Sequence, residues 1–92
     1  MEKRIFIVHK WDGSPDSDWY PWLEEQLDSR GFRVEVLAMP NPEEPEIKAW
    51  VSALDEAVGE PNENTYFVGH SIGCQAILRY LAVLPGDQKI GG

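Results

Sequence analysis

Gly69-His70-Ser71-Ile72-Gly73 is the stretch of this 92-residue sequence whose residue types and spacing could carry nucleophilic chemistry. It has the form G-x-S-x-G, and it lies between a short apolar run and a helical pattern, where such a motif is competent. A chain that turns sharply from strand to helix strains the backbone of the turn residue. The side chain of that residue, here Ser71, is then pushed out above the sheet edge. The residues two before and two after must be small, because strand and helix cross closely there, and Gly69 and Gly73 meet that need. His70 between them belongs to the elbow through its backbone. The N–H of Ile72, at the start of the helix, would face an oxyanion formed at Ser71, and the helix dipole favours that charge. The chemistry this arrangement serves is acyl transfer.

A serine needs a base, and the sequence has two histidines. His70 precedes Ser71 on the same strand, so its side chain starts toward the opposite face and is expected to pack beside the first strand. His9 ends that first strand and shares a sheet edge with Ser71. Two roles stay open for it: a base oriented by Asp12 or Asp16, or a residue that orients the loop by hydrogen-bonding backbone. Trp19, Trp22 and Trp50 lie at helical spacing and are expected in the core, as is Cys74. Trp11, in a loop beside the expected site, suits pocket lining and simple packing equally. The run Glu43-Glu44-Pro45-Glu46 reads as a solvated loop whose charge favours the next helix's N-terminus. No cluster has metal-ligand spacing, and no glycine pattern has dinucleotide or Walker spacing, so neither metal nor cofactor is expected.

These residues must be positioned by regular elements. Residues 4–9 form a near-continuous apolar run, the mark of a strand covered on both faces. After a loop broken by Gly13, Ser14 and Pro15, Asp18 is placed to cap a helix over residues 19–30. Pro21 falls in its first turn, Gly31 lies at its end, and Trp19, Leu23 and Leu27 make its inner face. Residues 33–38 alternate, with Val34, Val36 and Ala38 on one side, which suggests an edge strand. Three prolines then lead into a helix over 46–58, where Ile47, Trp50, Val51, Leu54 and Val58 make an amphipathic stripe. Residues 65–70 are a third strand. The helix after Ser71, to about residue 84, is apolar nearly all round and is expected to be buried on more than one side.

The order βαβαβα with short connections predicts an α/β fold, a three-layer αβα arrangement on a parallel sheet in the order 2-1-3. One flank beside the third strand is left free, and Lys89-Ile90-Gly91-Gly92 reads as a further strand just starting. Ninety-two residues make a single domain, 1–92, with a modest core. The formal net charge of −8 repels phosphate backbones and anionic membranes, which argues against nucleic-acid and membrane partners. One cysteine allows no intrachain disulfide, and the apolar run at residues 5–8 is too short for a signal peptide or a membrane span. A cytoplasmic location is expected.

The chain resembles the small α/β-hydrolases of the retinoblastoma-binding-protein type, a group of compact serine hydrolases. The residues that carry the resemblance run from the first strand onward. They are His9, Gly13-Ser14-Pro15, Asp18-Trp19-Tyr20-Pro21-Trp22-Leu23, Met39-Pro40-Asn41-Pro42, Trp50 and Gly69-His70-Ser71-Ile72-Gly73. The resemblance implies a partial α/β-hydrolase fold, with Ser71 as nucleophile and Ile72 N–H as half of an oxyanion hole. The other half would be the N–H of Trp11. Lys10 stands where the family's pattern has glycine, so a positive φ there would cost this chain energy. In the superfamily the triad acid and histidine follow the serine. After Ser71 this sequence has one acid, Asp87, and no histidine. The resemblance therefore implies the N-terminal half of a hydrolase, ending at the start of a fourth strand and lacking two triad members.

Two readings follow. One is a serine hydrolase acting on a small acyl or ester substrate through acyl-Ser71, inactive as this chain alone because Ser71 lacks its base. The alternative is an inactive α/β interaction module that self-associates into a homo-oligomer through its uncovered sheet edge. A flavodoxin-like ligand-binding domain is the weaker third, since it has no need of a serine at the elbow.

Overall fold

Alternating side chains of one strand feed two separate cores in the computed structural model, which describes residues 2–92. That strand is β1 (Arg4–Val8), and it is followed by α1 (Tyr20–Asp28), β2 (Arg33–Leu37), α2 (Ile47–Val58), β3 (Thr65–Gly69) and α3 (Ile72–Ala82). The three strands are parallel in the order β2-β1-β3, as the alternating pattern predicts. Phe6 and Val8 point to a core built with Trp50, Leu54 and Val58 of α2 and Ala76, Ile77 and Tyr80 of α3. Ile5 and Ile7 point the other way, to Tyr20, Leu23 and Leu27 of α1. Being buried on both faces is what makes the β1 sequence apolar without interruption. β2 is an edge strand with Arg33 and Glu35 exposed.

Several expectations about individual residues are corrected. Asp18 does not cap α1: the cap position is Trp19, no side chain bonds there, and Asp18 instead pairs with Lys10 Nζ at 2.8 Å. The inner stripe of α1 begins at Tyr20, which is wholly buried. Trp22 lies about 200° round the helix from Tyr20 at 100° per residue, so it faces solvent and is 63% exposed. Trp50 is fully buried and donates its indole N–H to Pro40 O at 2.8 Å. α3 is buried on one side only. Gly73, Ala76, Ile77 and Tyr80 face inward, while Leu78 and Val83 are 65% and 73% exposed and Cys74 is exposed too. The reason is architectural, because α2 and the sheet cover one half of its circumference and nothing among the described residues covers the other.

Beside β3 the tail makes two ladder-like bonds, Gly91 N–H to Thr65 O and Phe67 N–H to Gly92 O, both 2.8 Å. It therefore occupies part of the flank that the three-strand order leaves open. At the far end of the sheet, the Arg4 guanidinium donates to Val58 O and Glu60 O, tying β1 to the C-terminal end of α2. The backbone carbonyls there carry partial negative charge, so the placement is favourable. Tyr80 Oη is the buried side-chain polar atom that finds no partner among the described residues. Burial pushes its phenol above the ordinary tyrosine value. No helix among these residues is long and apolar enough to cross a membrane.

Candidate active site

Ser71 occupies the turn between β3 and α3 with φ 57° and ψ −120°, a region that side-chain-bearing residues rarely adopt. A serine at the start of a helix usually caps it by accepting a hydrogen bond from the first turn. Ser71 makes no such bond and is exposed. The strained backbone turns its hydroxyl away from the helix and leaves it free. The N–H groups of Gly73 and Cys74 are spent on the turn, donating to His70 O and Ser71 O at 3.0 Å each. That of Ile72, the first residue of α3, enters none of these turn bonds.

The small residues around Ser71 are required by close approach. A Cβ on Gly73 would overlap Val8 O and lie 2.8 Å from His9 O. A Cβ on Gly69 would lie 2.8 Å from the Cys74 backbone. The first helical turn thus rests directly on the end of β1, which brings the loop after β1 beside the elbow. A shallow groove of about 620 Å³ is lined there by Trp11, residues 43–46, Ser71, Ile72 and Gln75. Trp11 is 60% exposed and its indole donates to Glu43 O at 2.9 Å. Glu43, Glu44 and Glu46 therefore rim the groove, a placement that reading them as a solvated loop does not anticipate. A second cavity, between Arg4 and Arg33, lies at the opposite ends of the strands.

The loop after β1 is more tightly held than its sequence suggests. Its positive φ values fall on Asp12, at 55°, and Asp18, at 46°, and not on Lys10, so the lysine in place of glycine costs nothing in backbone strain. His9 is 1% exposed and packs edge-on to Trp50. Its Nε2 accepts the Met39 N–H at 3.0 Å, which places the ring proton on Nδ1, and Nδ1–H donates to Lys10 O at 2.7 Å. Both nitrogens are engaged with backbone, so no lone pair remains for Ser71. Of the two roles open to His9, this geometry fits the loop-orienting one and not the base.

His70 faces α1, as its position one before Ser71 predicts. Its Nδ1 lies 2.8 Å from Tyr20 Oη, and its ring lies against Trp19. Tyr20 Oη also accepts the Lys10 N–H at 2.8 Å. Burial raises the Tyr20 phenol above the ordinary tyrosine value, so it stays protonated through the neutral range. Tyr20 lies outside the four-residue spacing of Trp19, Leu23 and Leu27, yet it is the buried aromatic of α1. The available signal was the i, i+3, i+7 spacing of Tyr20, Leu23 and Leu27.

Among the described residues no cluster of histidine, cysteine or acid side chains converges as a metal site. A family model described as serine hydrolase matches residues 5–92. The protein "Putative hydrolase YdeN" of Bacillus subtilis (strain 168) is 39% identical over 92 residues, which cover all of this chain and 48% of that protein. The crystal structure of the ydeN gene product from B. subtilis matches with a TM-score of 0.83 at 36% identity, covering 96% of this chain and 45% of that one. The chain thus spans about half the length of the relative it matches.

Proposed function

The chain belongs to the serine hydrolase family, and on that premise we propose that Ser71 is the nucleophile of an acyl hydrolase, within the retinoblastoma-binding-protein type of α/β-hydrolase. Ser71 Oγ attacks the acyl carbon of a small ester or related acyl compound. Its proton passes to a base, the alcohol leaves, and water releases the acid from acyl-Ser71. Ile72 N–H and Trp11 N–H stabilise the oxyanion. The observation that carries this reading is the exposed, uncapped hydroxyl of Ser71 held at φ 57° at the head of α3. The histidine and acid of the triad are proposed to lie in sequence beyond these 92 residues. This chain would then be the N-terminal half of the fold, and Gly91-Gly92 the beginning of its fourth strand.

A hydrolase site stripped of triad members keeps roughly 10³–10⁴-fold acceleration over water from oxyanion stabilisation and binding. A fluorophosphonate probe should therefore label Ser71 slowly in this chain. Added imidazole should speed the labelling by supplying the missing base. Intact-mass analysis should find one adduct in the native chain and none in Ser71→Ala. No Ser71 adduct at any imidazole concentration, or an adduct that survives Ser71→Ala, would overturn the proposal.

A second reading, the self-associating module, is favoured by the exposure of Val83 at the end of α3, beside Ile47 and Val51 of α2. Scattered apolar residues are ordinary, whereas a contiguous patch marks an interface. Sedimentation at micromolar concentration reads this directly, and a monodisperse monomer sets it aside.

A further inference from the structure

We propose that the Tyr20 hydroxyl is a positioning group that fixes the Trp11 loop against the Ser71 elbow. The inference rests on the assignment of Ser71 and Trp11 given above. Its ground is the direction of two hydrogen bonds. The Lys10 amide can only donate, so Tyr20 Oη accepts from it at 2.8 Å. The one proton of the phenol is then left for His70 Nδ1, also at 2.8 Å. His70 must in turn carry its own proton on Nε2. Each end of this bridge lies one residue from a group assigned to the chemistry, since Lys10 precedes Trp11 and His70 precedes Ser71.

The other side of residue 10 is held as well. Its carbonyl accepts from His9 Nδ1–H at 2.7 Å and from Gly13 N–H at 3.1 Å. That carbonyl and the Trp11 N–H belong to one trans peptide group, so the direction of the N–H is set once the carbonyl is set. Tyr20 holds residue 10 by its amide and His9 holds it by its carbonyl. The position of the Trp11 N–H relative to Ser71 then depends on a phenol that touches neither. A phenylalanine in its place would fill the same buried volume but leave the Lys10 amide and the His70 nitrogen without partners. Misplacement of a reacting or stabilising group by about 1 Å costs on the order of 100-fold in rate.

The test compares the native chain with Tyr20→Phe, and with Tyr80→Phe as a control that removes a buried hydroxyl having no partner. In the native chain, long-range ¹H–¹⁵N spectra should find His70 protonated on Nε2 and accepting at Nδ1. In Tyr20→Phe, amide exchange at Lys10 and Trp11 should rise at least tenfold. Imidazole-supported labelling of Ser71 should fall by tenfold or more. Tyr80→Phe should change neither. If Tyr20→Phe does not fold, His70→Leu removes the acceptor instead and should loosen the same amides. Unchanged Lys10 and Trp11 exchange in a folded variant, or His70 protonated on Nδ1 in the native chain, would overturn the inference. Absence of any native adduct strikes the nucleophile assignment, while the His70 and amide measurements still decide whether Tyr20 holds the loop.

Discussion

Replacing Ser71 by glycine is expected to raise stability by about 1 kcal/mol while abolishing the fluorophosphonate adduct. Ser71 holds φ 57° and ψ −120°, and a side-chain-bearing residue in so sparse a region carries roughly 1–3 kcal/mol of strain. Glycine adopts positive φ freely. Against that gain stands the greater freedom of glycine in the unfolded chain, which costs about 0.4–1 kcal/mol. The strain is the larger effect, and the balance is about 1 kcal/mol in favour of the variant. In a domain of this size that corresponds to a rise in Tm of about 4–8 °C. Ser71→Ala keeps the Cβ and therefore the strain, so it should melt close to the native chain. Thermal unfolding of the three proteins side by side is the measurement. A glycine variant that melts at or below the alanine variant would show that the turn stores no strain.

Gly73→Ala is expected to act in the opposite sense and by more. The added methyl would overlap Val8 O and approach His9 O to 2.8 Å and Val8 C to 2.9 Å. Overpacking in a core costs typically 1–3 kcal/mol when side chains can shift. Here the obstructing atoms are backbone of β1, which is paired on both edges. A cost of about 3 kcal/mol or more is expected, a large share of the roughly 5–15 kcal/mol that holds a domain together. Urea unfolding should show the midpoint falling accordingly. A folded remnant should also lose Ser71 labelling, because the displaced strand end carries the loop of Trp11. An alanine variant within about 1 kcal/mol of the native midpoint would mean that α3 slides away from β1 without penalty.

Much of this arrangement is legible in the sequence, and the parts that are not share a cause. The uninterrupted apolar β1 and the alternating β2 suffice for the strand order, because burial on two faces and on one leave different marks. The spacing around Ser71 suffices to place the elbow, since only glycine fits where α3 crosses β1. In α1 the spacing rightly sets Trp19, Leu23 and Leu27 against the core, but it also places Trp22 inside and leaves out Tyr20, because all are aromatic and the phase is set by packing. The all-round apolar pattern of α3 likewise suggests burial for Cys74 and the outer face, which none of the described residues covers. For His9 the residue types offer two roles, a base or a loop-orienting residue bonded to backbone, and do not choose between them. Its two ring nitrogens are satisfied by the backbone of Lys10 and Met39, and a backbone partner leaves no trace in the identity of a residue.

The strand order also governs how the chain comes to its structure. β1 lies in the middle of the sheet, with β2 on one edge and β3 on the other. Its terminal arginine reaches Val58 and Thr65, across 54 and 61 residues of sequence. Parallel neighbours cannot form by a local hairpin, and each pairing waits for a whole crossover to be made. Distant pairings of this kind slow folding relative to helical proteins of the same size. During synthesis β1 emerges before β2 and β3, yet it is closed on both edges only once β3 has been made. Until β3 has been made, Ile5, Phe6, Ile7 and Val8 remain an apolar segment with an open edge, available to any other unfinished chain that meets it.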